Sequence, residues 1–446
     1  MTKPADTIAP SSGVPGVAAT RRSLLAGAAG VVGAAGIAVT APANANGAAA
    51  GTTAGAAAGA PAVGAESEDG VLDVSFFNPG VVYGLEGEHL RIYPRNLCPD
   101  RSVSLSTDFS RSDATLIPIN SPVAGTTTIT VRARRGSVSA ELGSFSVVIS
   151  GTPVAPAAPL NIVCIGDSTT AQYDNNGAAV NELARRLTGA GVSIADSGAA
   201  TGFPWTGPAM PASSNLGNIL FRGTLGEAQV KHEGRSGWRS INYTDSATTS
   251  GKTNAFWDPV GLRFSLNHYV SHNGFGVAAD PVNGIQPSGS NLLIVVGLGW
   301  NDVYRDDDSE GSAATAATNL AKLIDEIHTD MPDAQVLVMG LNPPPRVIFK
   351  GLRTQRYISQ EEVFEIAIKG YGDAFRAVCD ARTNADFHAI APVFDPEIAY
   401  GVSTYTRSFR SSEKVQGAGD YVHSRPPGYA MWADAVFYWI VNKYCQ

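Results

Sequence analysis

Among 446 residues there are four cysteines, five methionines and only 16% charged side chains. The cysteines (Cys98, Cys164, Cys379 and Cys445) form no Cys-x-x-Cys pair and no Cys/His cluster, which excludes a zinc ribbon or an iron–sulfur framework. Cys164 sits inside an apolar run and reads as a small core residue, and only Cys379 with Cys445 is a pair to consider for an oxidising compartment. Basic residues are outnumbered, 32 Lys and Arg against 40 Asp and Glu for a net charge of −8, which argues against a nucleic-acid or anionic-membrane partner. There is no glycine-rich phosphate loop and no cluster of metal ligands, so neither a metal nor any other cofactor is implied. Asp306-Asp307-Asp308 reads as a solvated acidic loop rather than a calcium site. The Gly-x-Ser-x-Gly pentapeptide of the α/β-hydrolases is missing as well.

No apolar run is long and hydrophobic enough for a durable membrane anchor. The nearest is the Ala/Gly/Val stretch to about Val39, which follows Arg21-Arg22-Ser23-Leu24-Leu25 and precedes Ala43-Asn44-Ala45. Paired arginines, a mildly apolar core and a small-x-small site predict a bacterial twin-arginine export signal over 1–45, and hence a secreted protein. Residues 46–69 are rich in Ala, Gly and Thr and read as a flexible linker. From 70 to 151 short alternations (Val71–Phe77, Leu90–Tyr93, Thr126–Val131, Ser144–Ile149) lie between turn-forming residues, the pattern of a small all-β, sandwich-like domain. A proline-rich spacer spans 152–159.

Residues 160–446 can bury a substantial core as one domain. Apolar strands (Asn161–Ile165, Leu292–Leu298, Gln335–Met339, Ile390–Phe394) alternate with helical patterns at about 178–187, 314–329, 360–379 and 428–441. This alternation predicts an α/β fold with a parallel sheet covered by helices on both faces, whose sites lie at the carboxyl ends of the strands.

Four short segments carry the chemistry. Ile165-Gly166-Asp167-Ser168 puts a hydroxyl just past a buried strand. It is followed in order by Glu233-Gly234-Arg235-Ser236-Gly237-Trp238, Gly299-Trp300-Asn301-Asp302 and Asp420-Tyr421-Val422-His423. Read singly, Ser168 is as good a helix N-cap as a nucleophile, Asn301-Asp302 are ordinary turn residues, and His423 is one of seven histidines. Of the others, His89, His232, His268, His272, His328 and His388 have no comparable context. The conjunction of all four, in order, is what chance does not supply.

Together the four segments resemble the blocks of the SGNH/GDSL hydrolase superfamily, over roughly residues 160–446. The resemblance implies a three-layer α/β/α, flavodoxin-like parallel sheet. It implies Ser168 as nucleophile, His423 as general base and Asp420 as the group orienting the imidazole. It also implies an oxyanion hole made of the N–H groups of Ser168 and Gly234 and the amide of Asn301. Such residues are needed because a serine hydroxyl is a poor nucleophile until an imidazole takes its proton, and because preorganised donors must meet the charge that develops on the carbonyl oxygen.

The implied activity is hydrolysis of carboxylic esters by a secreted, monomeric enzyme. Short acyl esters such as O-acetyl groups on carbohydrates or an extracellular polymer suit an exported acidic protein with an added β module. A lipase or acyltransferase of the same fold, or a non-catalytic glycan-binding protein, are the alternatives. Trp205, Trp238, Phe256, Trp257 and Trp300 are aromatic candidates for the walls of a substrate site.

Overall fold

The structure, a computed structural model, describes residues 72–109, 116–120, 122–171, 179–189, 216–226, 230–276, 282–305, 309–344, 349–350, 357–358, 360–400, 403–406, 414–417 and 423–446. The expected export signal, the linker and Asp306–Asp308 lie outside these residues.

Four strands come first: β1 (Val81–Leu85), β2 (Ser104–Thr107), β3 (Gly125–Arg135) and β4 (Val138–Ser150). They form one sheet in the order β1-β4-β3-β2, with β1 parallel to β4 and the remaining pairs antiparallel. A register shift at Val131/Arg132 marks a bulge between the two long strands. Leu90–Ile92 pairs separately with Ile117–Ile119. The expected strand at Val71–Phe77 does not form within the described part of that segment. Residues 72–80 join no ladder, although Phe77 is buried and its N–H donates to Leu97 O at 2.9 Å.

A second sheet is wholly parallel. It contains β5 (Leu160–Gly166), β6 (Ile219–Arg222), the short β7 (Glu233–Gly234), β8 (Leu292–Gly297), β9 (Gln335–Met339) and β10 (Ala385–His388), in the order β10-β9-β8-β5-β6 with β7 pairing the end of β5. Strands buried on both faces read as continuous apolar runs, as β5, β8 and β9 do. Their side chains divide between two hydrophobic clusters. Ile162, Cys164, Leu293, Val295, Leu337 and Met339 face one way, and Val163, Ile165, Ile294, Val296, Val336 and Val338 the other. The period of two along a strand produces this separation.

Helices cover both clusters. On the first face lie α1 (Ala179–Thr188), with Val180, Leu183 and Leu187 inward, and, later in the chain, two helices ending at Tyr400 and Tyr444. On the second lie α2 (Leu266–His272), α3 (Trp300–Arg305), α4 (Ser309–Asp330) and α5 (Gly372–Asp380). The two helices completing the first face are α6 (Pro396–Tyr400) and α7 (Pro426–Tyr444). This is the three-layer α/β fold, preceded by small β-sheets. Residues 364–371, between the helical turn Gln360–Val363 and α5, form a π-helix inside what the sequence presents as one continuous helix.

Residues Val63–Gln446 make one compact unit, and the small sheet contributes to the core of the large one. Leu105, Ile129, Val131, Phe145 and Val147 belong to the same cluster as Val163 and Val296. Polar links reinforce the junction. Asn96 Nδ2 donates to Ala391 O (2.9 Å) and Phe394 O (2.6 Å), and Tyr93 N–H to Pro392 O (2.8 Å). Arg186 of α1, fully buried, pairs with Glu88 (2.7 Å) and Asp434 (2.8 Å) and lies over the Phe437 ring. Among the described residues all four cysteines are free, and Cys379 and Cys445 occupy different clusters. No described helix is long and apolar enough to cross a membrane.

Candidate active site

The chain passes from β5 outward to β6 and then returns across to β8, so neighbouring strands β5 and β8 flank the point where the order reverses. In open α/β sheets ligands bind at the carboxyl ends of the strands at such a point. β5 ends at Gly166 and leads into Asp167-Ser168, while β8 ends at Gly297 and leads through Gly299 into α3 with Asn301. Two of the four segments therefore face each other by topology alone.

The Ser168 turn is held by the preceding carboxylate. Asp167 Oδ1 accepts from Thr169 N–H and from the Thr169 hydroxyl, both at 2.8 Å, and Asp167 O accepts from Ala171 N–H at 2.9 Å. Asp167 is buried. Burial raises its pKa, against which work its bonds to Thr169, the charge of His423 and the bond from Asn301.

Ser168 Oγ lies 2.7 Å from His423 Nε2, within hydrogen-bond reach across 255 residues of sequence. The imidazole precedes the N-terminus of α7, where Arg425 occupies the N-cap position without a side-chain cap and Pro426 is the first helical residue. Asp420 lies outside the described residues.

Asn301 is brought to the same place. Its Nδ2 donates to Asp167 Oδ2 and to Trp238 O, each at 3.1 Å, joining the first, second and third segments. Both of its amide N–H bonds are thus occupied at rest, so reaching a new acceptor means exchanging one of these neutral or anionic partners.

The second segment places Gly234 at the end of β5. Gly234 N–H donates to His232 Nδ1 at 3.0 Å, so at rest it is not a free donor. What the position requires is a missing side chain: a Cβ there would lie 2.6 Å from Ala171 N and 2.9 Å from Thr170. A turn follows further along. Trp238 N–H closes a turn onto Arg235 O at 3.0 Å, with Gly237 third in the turn at φ +83°. That is the geometry of a type II turn, where glycine is favoured. Gly237 N–H has no partner among the described residues.

The turn is anchored by buried polar groups. Glu233, fully buried, accepts from Arg235 Nη1 (2.6 Å), Tyr269 OH (3.0 Å) and Thr224 Oγ1 (3.0 Å), and the Tyr243 hydroxyl lies 2.7 Å from Gly166 O. His232, which shows nothing in the sequence to set it apart, proves to be a buried neutral imidazole. Burial, then the charges of Arg235 and Lys231, lower its pKa to about 4. Its only sequence clue is its position beside Glu233-Gly234. Of the aromatic candidates, Trp238, Phe256 and Trp300 are core residues, Trp257 is half-buried in a short hairpin, and Trp205 lies outside the described residues.

No protein-family model matches the sequence, and no curated protein does. Similar solved structures include a carbohydrate esterase family 3 enzyme from Talaromyces cellulolyticus (12% identity, 64% of this chain and 97% of that one, TM-score 0.32). A carbohydrate esterase family 2 enzyme with a carbohydrate-binding domain from Corynascus thermopiles (Myceliophthora fergusii) matches at 15% identity over 83% of this chain and 95% of its own, TM-score 0.33. A member of the lipolytic G-D-S-L family from Veillonella parvula matches at 13% identity over 62% and 96%, TM-score 0.30. These overlaps are too low to carry an activity from those proteins to this one.

Proposed function

We propose that the chain is a serine esterase of the SGNH/GDSL type that cleaves short acyl esters through an acyl-enzyme on Ser168. The observation that carries this reading is the 2.7 Å contact between Ser168 Oγ and His423 Nε2 at the switch point of a parallel sheet, with Asn301 beside it. His423 Nε2 takes the hydroxyl proton as Oγ attacks the ester carbonyl, then returns it to the leaving alcohol. Water attacks the acyl-enzyme by the same route in reverse. We assign Asp420 to orient the imidazole.

For the oxyanion we assign the Ser168 N–H and the Asn301 amide, with Gly237 N–H in place of Gly234 as the third donor. Asn301 turns one N–H from Trp238 O to the oxyanion when charge appears. That exchange is favourable because a bond to a charged acceptor is roughly twice as strong as one to a neutral acceptor. Acyl esters on carbohydrates or an extracellular polymer are the proposed substrates, and export by the twin-arginine signal the proposed route to them.

The test is hydrolysis of p-nitrophenyl acetate and of acetylated polysaccharide by the protein and by Ser168→Ala. The variant should keep its fold and retain less than about a hundredth of the rate. A variant with wild-type activity would remove the nucleophile assignment.

A further inference from the structure

The three strands that deliver the site end on the same residue type. Gly166 is the last residue of β5, Gly234 of β7 and Gly297 of β8. They also stand level, since Gly166 pairs in register with Gly297 on one side and with Gly234 on the other. Residues in register point to the same face of a sheet, so the three glycines leave a trough without side chains, about 10 Å long at the usual strand spacing.

None of the three needs to be glycine for its backbone, because none has a positive φ. What they share is the side chain lying in the trough, that of the buried Thr170. A Cβ on Gly166 would overlap the Thr170 hydroxyl oxygen and lie 2.6 Å from its Cβ. One on Gly234 would lie 2.9 Å from both the Cβ and the methyl of Thr170, and one on Gly297 3.2 Å from the hydroxyl oxygen. All of these are closer than the roughly 3.5–4.0 Å at which carbon atoms rest in contact. The hydroxyl therefore fills the space between β5 and β8, and the methyl lies against β7. A β-branched side chain is stiff at χ1, so both arms hold their directions.

Thr170 belongs to the Ser168 turn, which Ala171 N–H closes onto Asp167 O. Its fit thus seats that turn on three strand ends at once. The same three strands lead to the proposed oxyanion donors: β5 to the Ser168 N–H, β7 to Gly237 and β8 to Asn301.

We propose that Thr170 is a positioning residue, whose side chain, seated in the trough of Gly166, Gly234 and Gly297, sets Ser168 against the oxyanion donors. The role rests on the serine-esterase reading. It has a kinetic consequence because the donors must meet the oxyanion at about 2.7–3.1 Å, and a misplacement of about 1 Å can cost a hundredfold in rate.

The test is steady-state hydrolysis of p-nitrophenyl acetate by Thr170→Ala, Thr170→Ser, Gly297→Ala and the double variant Thr170→Ala with Gly297→Ala, each verified as folded under assay conditions by urea unfolding. Thr170→Ala empties the trough and should lower kcat by about ten- to a hundredfold while KM stays within about twofold. Thr170→Ser keeps the arm between β5 and β8 and should recover kcat to within about threefold of the wild type. Gly297→Ala should lower kcat by itself, because its methyl meets the threonine oxygen. In the Thr170→Ala background that oxygen is gone, and the same methyl should cost little, so the two losses should not multiply. A Thr170→Ala enzyme with wild-type kcat, a change confined to KM, or losses that multiply in the double variant overturns the assignment. Should Thr170→Ala not fold, Gly297→Ala decides alone, an unaltered kcat there being the contrary result. A wild type inactive on p-nitrophenyl acetate would instead overturn the esterase reading, and with it a role defined by that reaction.

Discussion

Asn301 shows how much one side chain can be asked to do. At rest it bridges Asp167 and the Trp238 carbonyl, and in the proposed reaction it meets an oxyanion that exists only in the transition state. Asn301→Ala is therefore expected to lower kcat by about a hundred- to a thousandfold while moving KM little. Steady-state kinetics on p-nitrophenyl acetate decide it, since a change confined to KM would make the residue a ground-state contact. That Ser168, His423 and Asn301 belong together was legible from the order of their segments, and the structure brings the three into one place. The engagement of Gly234 by His232 was not legible, because it depends on where a buried imidazole turns.

A second residue-scale expectation concerns acid. His388 is fully buried at the end of β10, and burial lowers its pKa from 6.5 to about 4. Its folded form is neutral while the unfolded chain takes up a proton below pH 6.5. Its contribution to stability is therefore present above about 6.5 and lost as pH falls towards 4, by on the order of 3 kcal/mol. Glu182, pushed up to about 7 by burial, works in the opposite sense. The readout is accordingly a difference: the stability gap between the protein and His388→Leu, followed by urea unfolding, should move in favour of the variant between pH 6.5 and 4. A pH-independent gap would mean that His388 takes up its proton at the same pH in the fold as in the unfolded chain.

Among the elements, the strands that carry the site were the easiest to read. β5, β8 and β9 are near-continuous apolar runs, and the structure places β9 at the residues expected, Gln335–Met339. The strand expected at Ile390–Phe394 is instead Ala385–His388. The apolar run misled because Pro392 can donate no ladder bond and sits in a 3-10 turn, whereas the true strand is an edge strand with a mixed sequence. The π-helical stretch 364–371 leaves no pattern that distinguishes it from an α-helix. At β7, packing dominates: Gly234→Ala forces a methyl against Thr170 and the Ala171 backbone. It should cost about 1–3 kcal/mol in urea unfolding and lower kcat by displacing the Ser168 turn. An unchanged stability would show that the segments approach less closely than this.

For the whole molecule the sequence suggests a seam at the proline-rich stretch 152–159, yet the hydrophobic cluster runs through it. Ile129 and Phe145 share a core with Val163 and Leu320, and the Asn96 amide reaches backbone carbonyls nearly three hundred residues away. A break in composition marks a change of topology and says nothing about whether side chains on either side interdigitate. Residues 72–446 are therefore expected to unfold in one calorimetric transition, with calorimetric and van't Hoff enthalpies in agreement. Two separable transitions, or a soluble folded fragment beginning at residue 160, would show that the small sheet is an independent module.

The distribution of the thiols has a consequence for watching this fold move. Cys98 and Cys379 lie in the core on one side of the parallel sheet and Cys164 and Cys445 in the core on the other, all four buried and unbonded. A thiol in such a place is labelled only when its surroundings open. Each layer thus carries two reporters of its own, and the order in which an alkylating reagent reaches them tells which side of the sheet breathes first.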